Sequence, residues 1–342
     1  MYACKHPVET AEREYQTSVK VTEELAGLIY RQETSLKKLD KVKIKGRVDS
    51  LKLAKELRFK KELAEIMGEV DETTRESLQL VQEHGSGAWL TCLPVQQLGY
   101  AYSKVDFRDS VFLRYGWDIP NTPRFCDCGA KNDHNHILNC KRGGYVNYRH
   151  NNVRDSVAEY LRTVTNDVRI EPPLIPIESP SFQQKGNNAD KARLDISARG
   201  VWSTFERTFF DVRIFNPKSA SYQGKSLQQM YSLHEKEKKN QYMNRVLQLE
   251  KGSFVPLVFT TTGGMAPEAK GFIRRLAGLI AAKTRQNYSQ VMCNIRTRLS
   301  MDIMRSVLVA VRGVRGKAKK AWTAPISSVD FNLIPEEKSY EG

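Results

Sequence analysis

The 342-residue chain has no run approaching the ~20 consecutive apolar residues needed to cross a bilayer. Its opening stretch, MYACKHPVETAEREY, lacks the apolar core of a secretory signal. Both absences predict an intracellular protein with no membrane role. Cysteine is scarce, six in all, and unevenly placed: Cys126, Cys128 and Cys140 cluster, whereas Cys4, Cys92 and Cys293 are scattered. That distribution excludes a disulfide framework and favours a metal site. Internal repeats and long low-complexity tracts are missing too, and residues 1–85 hold few aromatics.

Negative charge is the other shortage. Against 54 lysines and arginines stand 39 aspartates and glutamates, a formal net charge of +15. Such a field attracts nucleic acid or an anionic surface without saying which. At this length two domains fit comfortably.

Residues 1–88 read as a basic helical region. In VDSLKLAKELRFKKELAEIM (Val48–Met67) the residues Leu51, Ala54, Leu57, Leu63 and Ile66 fall along one helical stripe with basic residues elsewhere. The sequence HGSG (His84–Gly87) breaks the pattern, and residues 89–148 read as a helical linker leading into the cysteine cluster. From about Arg149 the pattern alternates. A helix over NNVRDSVAEYLRTVT is followed by the short strands DVRIEPPLIP, ARLDIS and ERTFFDVRIF, a long helix through HEKEKKNQY, the strand FVPLVFT and two more helices. The order α-β-β-β-α-β predicts a mixed α/β (α+β) domain over 149–316, a small sheet flanked by helices, with a loose tail at 317–342.

The segment CDCGAKNDHNHILNC presents C-x-C-x7-H-x3-C through Cys126, Cys128, His136 and Cys140. Three thiolates and an imidazole suit tetrahedral Zn²⁺, and a closed four-ligand site is structural. His134 could replace His136, although the three residues between His136 and Cys140 match knuckle spacing better. The basic and amide groups that follow, Arg142, Arg149, His150 and Asn151, would sit beside the knuckle where a phosphate backbone could touch them.

In TFFDVRIFNP, period 2 puts Phe209, Asp211, Arg213 and Phe215 on one face and Phe210, Val212 and Ile214 on the other. An unpaired buried carboxylate is costly, so Asp211 must be ion-paired, metal-bound or open to a cleft. Arg213, two residues on, is its simplest partner. Asp195 in ARLDIS alternates against Leu194 and Ile196 in the same way. Paired strands would bring the two acids together, where a Mg²⁺ or Mn²⁺ ion would relieve their repulsion and activate water for phosphodiester hydrolysis. Glu171 is a third acid candidate. On the long helix, Tyr231, Glu235, Lys238, Tyr242 and Leu249 share a stripe, so Lys238 points inward while Lys236 and Lys239 do not. The alternative is that HEKEKK is a solvated charge run.

Together the cysteine cluster, RGG and RHN, the EP at Glu171–Pro172, RLDIS, FFDVRIFNP, HEKEKKNQY and GSFVPLVFTTTGGM resemble the C-terminal portion of proteins encoded by non-LTR retrotransposons. That portion joins a CCHC zinc knuckle to a restriction-like endonuclease of the PD-(D/E)XK superfamily. The resemblance spans roughly Trp89–Gly316. It implies metal-dependent nicking of target DNA to prime reverse transcription, hence nuclear residence. Element RNA and a reverse transcriptase of the same element would be further partners. Asp195 takes the place of the PD aspartate, although Leu194 stands where proline is usual. Asp211 matches the acid of (D/E)XK, Arg213 stands where lysine would be, and Lys238 with Tyr242 matches the helix-borne lysine motif, Gln241 replacing its second lysine. The chain carries no Y-x-D-D reverse-transcriptase motif.

Overall fold

The computed structural model describes residues 7–32, 40–176 and 192–313. The chain forms two compact units, Met1–Arg75 and Glu76–Gly342. In the first, α1 (Pro7–Tyr30) and α2 (Lys41–Glu69) are tied by charge: Lys43 to Glu24 at 3.1 Å and Arg47 to Glu23 at 3.0 Å. Asp40 caps α2 by accepting from the N–H groups of Val42 and Lys43. No residue of α2 is buried, so its apolar stripe is shallow and its basic face solvated.

The division falls at Arg75–Glu76, ahead of the break expected at HGSG. Its cause lies in α3 (Glu72–Val81), whose Ser77, Leu78 and Val81 are buried. The linker expected at 89–148 is likewise no separate domain. Trp89, Leu98 and Tyr100 share a core with Met301, Met304 and Leu308 of α10 (Tyr288–Arg312). α4 (Ala88–Thr91) and α5 (Lys104–Tyr115) thus belong to the same unit as the sheet.

That sheet has the expected strands: β1 (Val168–Ile170), β2 (Ile196–Arg199), β3 (Arg207–Phe215) and β4 (Ser253–Thr260), in the order β1-β2-β3-β4. The first two pairings are antiparallel, and β3–β4 is parallel, joined through α8 (Leu227–Arg245). A parallel neighbour demands such a crossover. The period-2 reading of β3 holds on both faces. Phe210, Val212 and Ile214 enter the main core with α7 (Tyr145–Val164), α9 (Pro267–Thr284) and α10, where Phe210 and Phe272 rings stand 4.6 Å apart. On the other face, Phe209 packs with Val246 and Phe254, and Phe215 with Met230 and Tyr231 of α8. The class is mixed α/β, with helices on both faces of a small mixed sheet. Asp211 and Arg213 lie between those two smaller apolar clusters, under α8. The tail 317–342 and most of the basic run Arg312–Lys320 fall outside the described residues.

Candidate active site and metal centre

Asp195 sits at the bend before β2, its N–H donating to the Phe210 carbonyl at 3.1 Å. This backbone pairing brings the Asp195 side chain against β3, where its Oδ2 accepts from the Val212 N–H at 2.6 Å. Asp211 occupies the middle of β3 and is buried. Its Oδ2 meets Lys238 Nζ of α8 at 2.8 Å, an ion pair that lacks the angular geometry of a good hydrogen bond. Lys238 is therefore the inward lysine, and its neighbour Lys239 turns instead to Glu268 of α9. Among the described residues, neither aspartate accepts a hydrogen bond at Oδ1.

The Asp211 carboxyl is pushed above its ordinary value by burial, with Lys238 opposing and the charge of Asp195 adding to the rise. Tyr242, one turn beyond Lys238, has its ring centroid 5.7 Å from Lys238 Nζ. Burial, reinforced by Asp211 and Asp195, pushes its phenol up to about 12, so at neutral pH it is a neutral donor.

His150, expected beside the knuckle as a nucleic-acid contact, belongs to this acid cluster. Its Nε2 lies 3.0 Å from Asp195 Oδ2 and its Nδ1 3.2 Å from Asn151 Oδ1. Both neighbours are oxygen acceptors, which the doubly protonated ring satisfies at once. Burial disfavours that charge, but the hydrogen bond and charge of Asp195, then Asn151 and Asp211, outweigh it and raise the His150 pKa.

Glu171 follows β1 and ties its N–H to the Asp195 carbonyl at 2.9 Å. Its carboxylate, however, is taken by Arg154 at 2.6 Å, with Arg193 at 3.7 Å. It is a clamped rim acid rather than an open ligand. Arg213 does not pair with Asp211. It is exposed and lies beside the Tyr222 phenol, whose pKa burial raises and Arg213 opposes. Arg149 is also not a surface contact. It is almost wholly buried and donates from Nη2 to the Leu138 carbonyl at 3.0 Å, while Nε and Nη1 have no hydrogen-bond partner among the described residues. Burial without a counter-charge pulls its pKa down to about 10. Arg142 stays exposed, and its backbone N–H favours the Cys140 thiolate against burial, which raises that thiol.

The cysteine cluster converges. Cys126, Cys128, His136 and Cys140 have ligand atoms all within 4.8 Å of one another. Measured pairs are 3.8 Å for Cys126–Cys140 Sγ, 4.0 Å for Cys128–Cys140 Sγ, and 3.2 Å for Cys128 Sγ to His136 Nε2. Zinc–sulfur bonds of ~2.3 Å in a tetrahedron separate the sulfurs by ~3.8 Å, so the donor set fits. The N–H of Cys128 lowers the Cys126 thiol pKa, and that of Ala130 lowers the pKa of Cys128, both favouring thiolate. His136 is placed by α6 (His134–Asn139), capped by Asp133 accepting from the His136 N–H at 2.8 Å. His134 points elsewhere, into a cavity of about 50 Å³ with Lys218 and Asn216. The cluster can hold a metal ion, and its donor set is compatible with structural zinc.

Among the described residues this is the sole set of three or more Cys, His, Asp or Glu ligands converging on one point. Asp195, Asp211 and Glu171 do not form such a set. The site they help to build is a pair of aspartates with a cation each. The two partners missed as such in the sequence, His150 and Arg154, sit on α7. His150 falls three and seven residues before the buried Val153 and Val157, a helical spacing that places it on the sheet-facing stripe. No protein-family model matches the chain, and no curated protein matches it.

Proposed function

We propose that the second unit is a Mg²⁺- or Mn²⁺-dependent DNA endonuclease of the restriction-like class, of retroelement origin, carrying a structural zinc knuckle. The observation that carries this reading is the Lys238–Asp211 contact of 2.8 Å beside Asp195 on the adjoining strand segment. Two acids and a lysine at the centre of a small sheet match the requirements of phosphodiester hydrolysis. The uncommitted Oδ1 atoms of Asp195 and Asp211 would hold the divalent ion, which supplies charge neutralisation at the phosphate and an acidified water. Lys238 holds Asp211 ionised and offers a cation to the developing negative charge. Tyr242 donates from a phenol that remains protonated. Arg213, exposed on the same strand face, is available to a phosphate oxygen. Cys126, Cys128, His136 and Cys140 would hold Zn²⁺ and order the polar loop they span. DNA is the proposed substrate, with element RNA and a companion reverse transcriptase as further partners and the nucleus as the place of action. No described helix is long and apolar enough to cross a membrane.

The test is nicking of supercoiled plasmid by zinc-replete protein in Mg²⁺ or Mn²⁺. Wild type should nick and Asp211→Ala should not; equal activity in the two sinks the reading.

A second reading rests on its own observation: each acid already has a cation, Asp211 in Lys238, Asp195 in His150 and Glu171 in Arg154. The fold would then serve as a nucleic-acid-binding protein without catalysis. Salt-sensitive DNA binding that persists without divalent metal, in a chain that never nicks, distinguishes it.

A further inference from the structure

The connection between β2 and β3, Gly200 to Glu206, presents two large aromatic side chains to solvent: Trp202 is 41% exposed and Phe205 88%. Exposed rings on a floppy loop would mean little, but this loop is anchored. Val201 is wholly buried, Gly200 adopts φ +83 and its N–H reaches the Glu206 carbonyl at 3.1 Å. Arg275 of α9 donates to the Val201 carbonyl at 2.8 Å and the Trp202 carbonyl at 3.4 Å. Holding two rings out in water against the hydrophobic effect calls for a partner.

The surroundings say which. Arg199 and Arg207 are register partners across β2–β3, and Arg169 lies on the neighbouring β1. All three guanidiniums converge on the single carboxylate of Asp167, Arg207 in direct contact, Arg169 at 3.4 Å and Arg199 at 3.5 Å. Like charges set opposite each other repel, and one acid cannot neutralise three bases. With Arg275 and Glu206 counted, four cations stand against two anions, and Arg169 and Arg199 remain more than half exposed.

We propose that the β2–β3 tip is a single-stranded nucleic-acid platform, on which Trp202 and Phe205 stack unpaired bases while Arg169, Arg199 and Arg275 hold the phosphates. Stacking faces are hidden inside a duplex and available only in unpaired bases, so rings combined with guanidiniums select single strands. Two rings on one short loop are too small an apolar face for a membrane. Phe205 precedes Asp211 by six residues, at most about 20 Å at ~3.3 Å per residue. The platform shares with the proposed function only its polyanionic partner and requires no cleavage.

The experiment is fluorescence anisotropy of labelled oligothymidylate with the zinc-replete full chain in magnesium-free buffer. Trp202→Ala and Phe205→Ala should each weaken binding at least ~5-fold, while Trp202→Phe retains most of the affinity. Arg199→Gln should reduce the slope of log affinity against log salt by about 0.7. Unchanged affinity in a doubly substituted chain with wild-type melting temperature overturns the proposal. So does an equal loss for blunt duplex, or a dimer in sedimentation that disappears with the two rings, which would assign the tip to a second copy. A chain that binds through the tip but leaves plasmid intact supports the platform and sinks the nuclease, and nicking with a dispensable tip does the reverse.

Discussion

Lys238 of α8 and Asp211 of β3 meet at 2.8 Å across the sheet–helix interface, both side chains largely withdrawn from solvent. The pair answers why a carboxylate can stand in the middle of a strand otherwise built from Phe, Val and Ile. Its counter-charge comes from the covering helix and not from Arg213 on its own strand. The geometry makes each partner hostage to the other.

Removing Lys238 therefore leaves Asp211 buried and uncompensated. The Asp211 carboxyl already titrates above its ordinary 3.8 in the folded state, and losing Lys238 raises it further. A carboxyl with a raised folded pKa contributes stability at low pH that is lost as pH rises through that pKa. Lys238→Met should accordingly be less stable by about 3–5 kcal/mol at pH 8 and show a much smaller deficit at pH 4.5. Adding Asp211→Asn should recover most of the loss. Urea midpoints at the two pH values measure this, and a deficit independent of pH would contradict it.

The His150–Asp195 pair follows the same sign, with the raised pKa now on a base. A histidine whose folded pKa is raised lends stability that is complete below its unfolded value near 6.5 and fades as pH climbs through the folded one. His150→Gln should cost about 1–2 kcal/mol at pH 6 and almost nothing at pH 9. In Asp195→Asn the burial of His150 loses its main opposition, so the ring should titrate below 6.5. An NMR titration of the His150 ring that stays above 6.5 in this variant would refute the pairing.

Much of this arrangement was legible in the sequence because period 2 and period 3.6 are rigid rules. Alternation put Asp195 and Asp211 off the core faces of their strands, and the stripe through Tyr231, Glu235 and Tyr242 turned Lys238 inward. What alternation could not convey was the third dimension. His150 and Asp195 are 45 residues apart, and their contact depends on how α7 crosses the sheet. Arg149, adjacent to His150, reads as a basic surface residue because arginine seldom enters a core unpaired, yet here it is buried against the end of α6. Glu171 looked open until Arg154, from the same helix, closed on it. The break at His84–Gly87 was visible, but not that Ser77, Leu78 and Val81 ahead of it are already buried.

For the cysteine cluster, sulfur spacings near those of a tetrahedral zinc site predict one equivalent of zinc per chain. Cys128→Ser should lose the metal and lower the melting temperature, because the polar loop it closes has little core of its own. Cys92→Ser and Cys293→Ser, whose thiols lie outside the cluster, should keep it. Elemental analysis after gel filtration decides the matter, and zinc retained by Cys128→Ser would remove this site from consideration.

Gly252 gives a test of the sheet that holds Asp211. It precedes β4, and a Cβ there would overlap the Arg207 carbonyl oxygen and stand 3.2 Å from Phe209 Cε2. The obstacle is backbone, and β3 cannot recede because β2 pairs with its other edge. Gly252→Ala should cost about 1–3 kcal/mol, through strain at the start of the parallel pairing. Gly271 and Gly278 supply the contrast. Both lie within α9 with open space where a Cβ would go, so alanine there relieves the entropic cost of glycine and meets no neighbour. Each should gain up to about 1 kcal/mol. Opposite signs for the same chemical change, read as shifts of one denaturation midpoint, would locate the cost in the β3–β4 contact; a stabilising Gly252→Ala would mean that this contact is looser than the register implies.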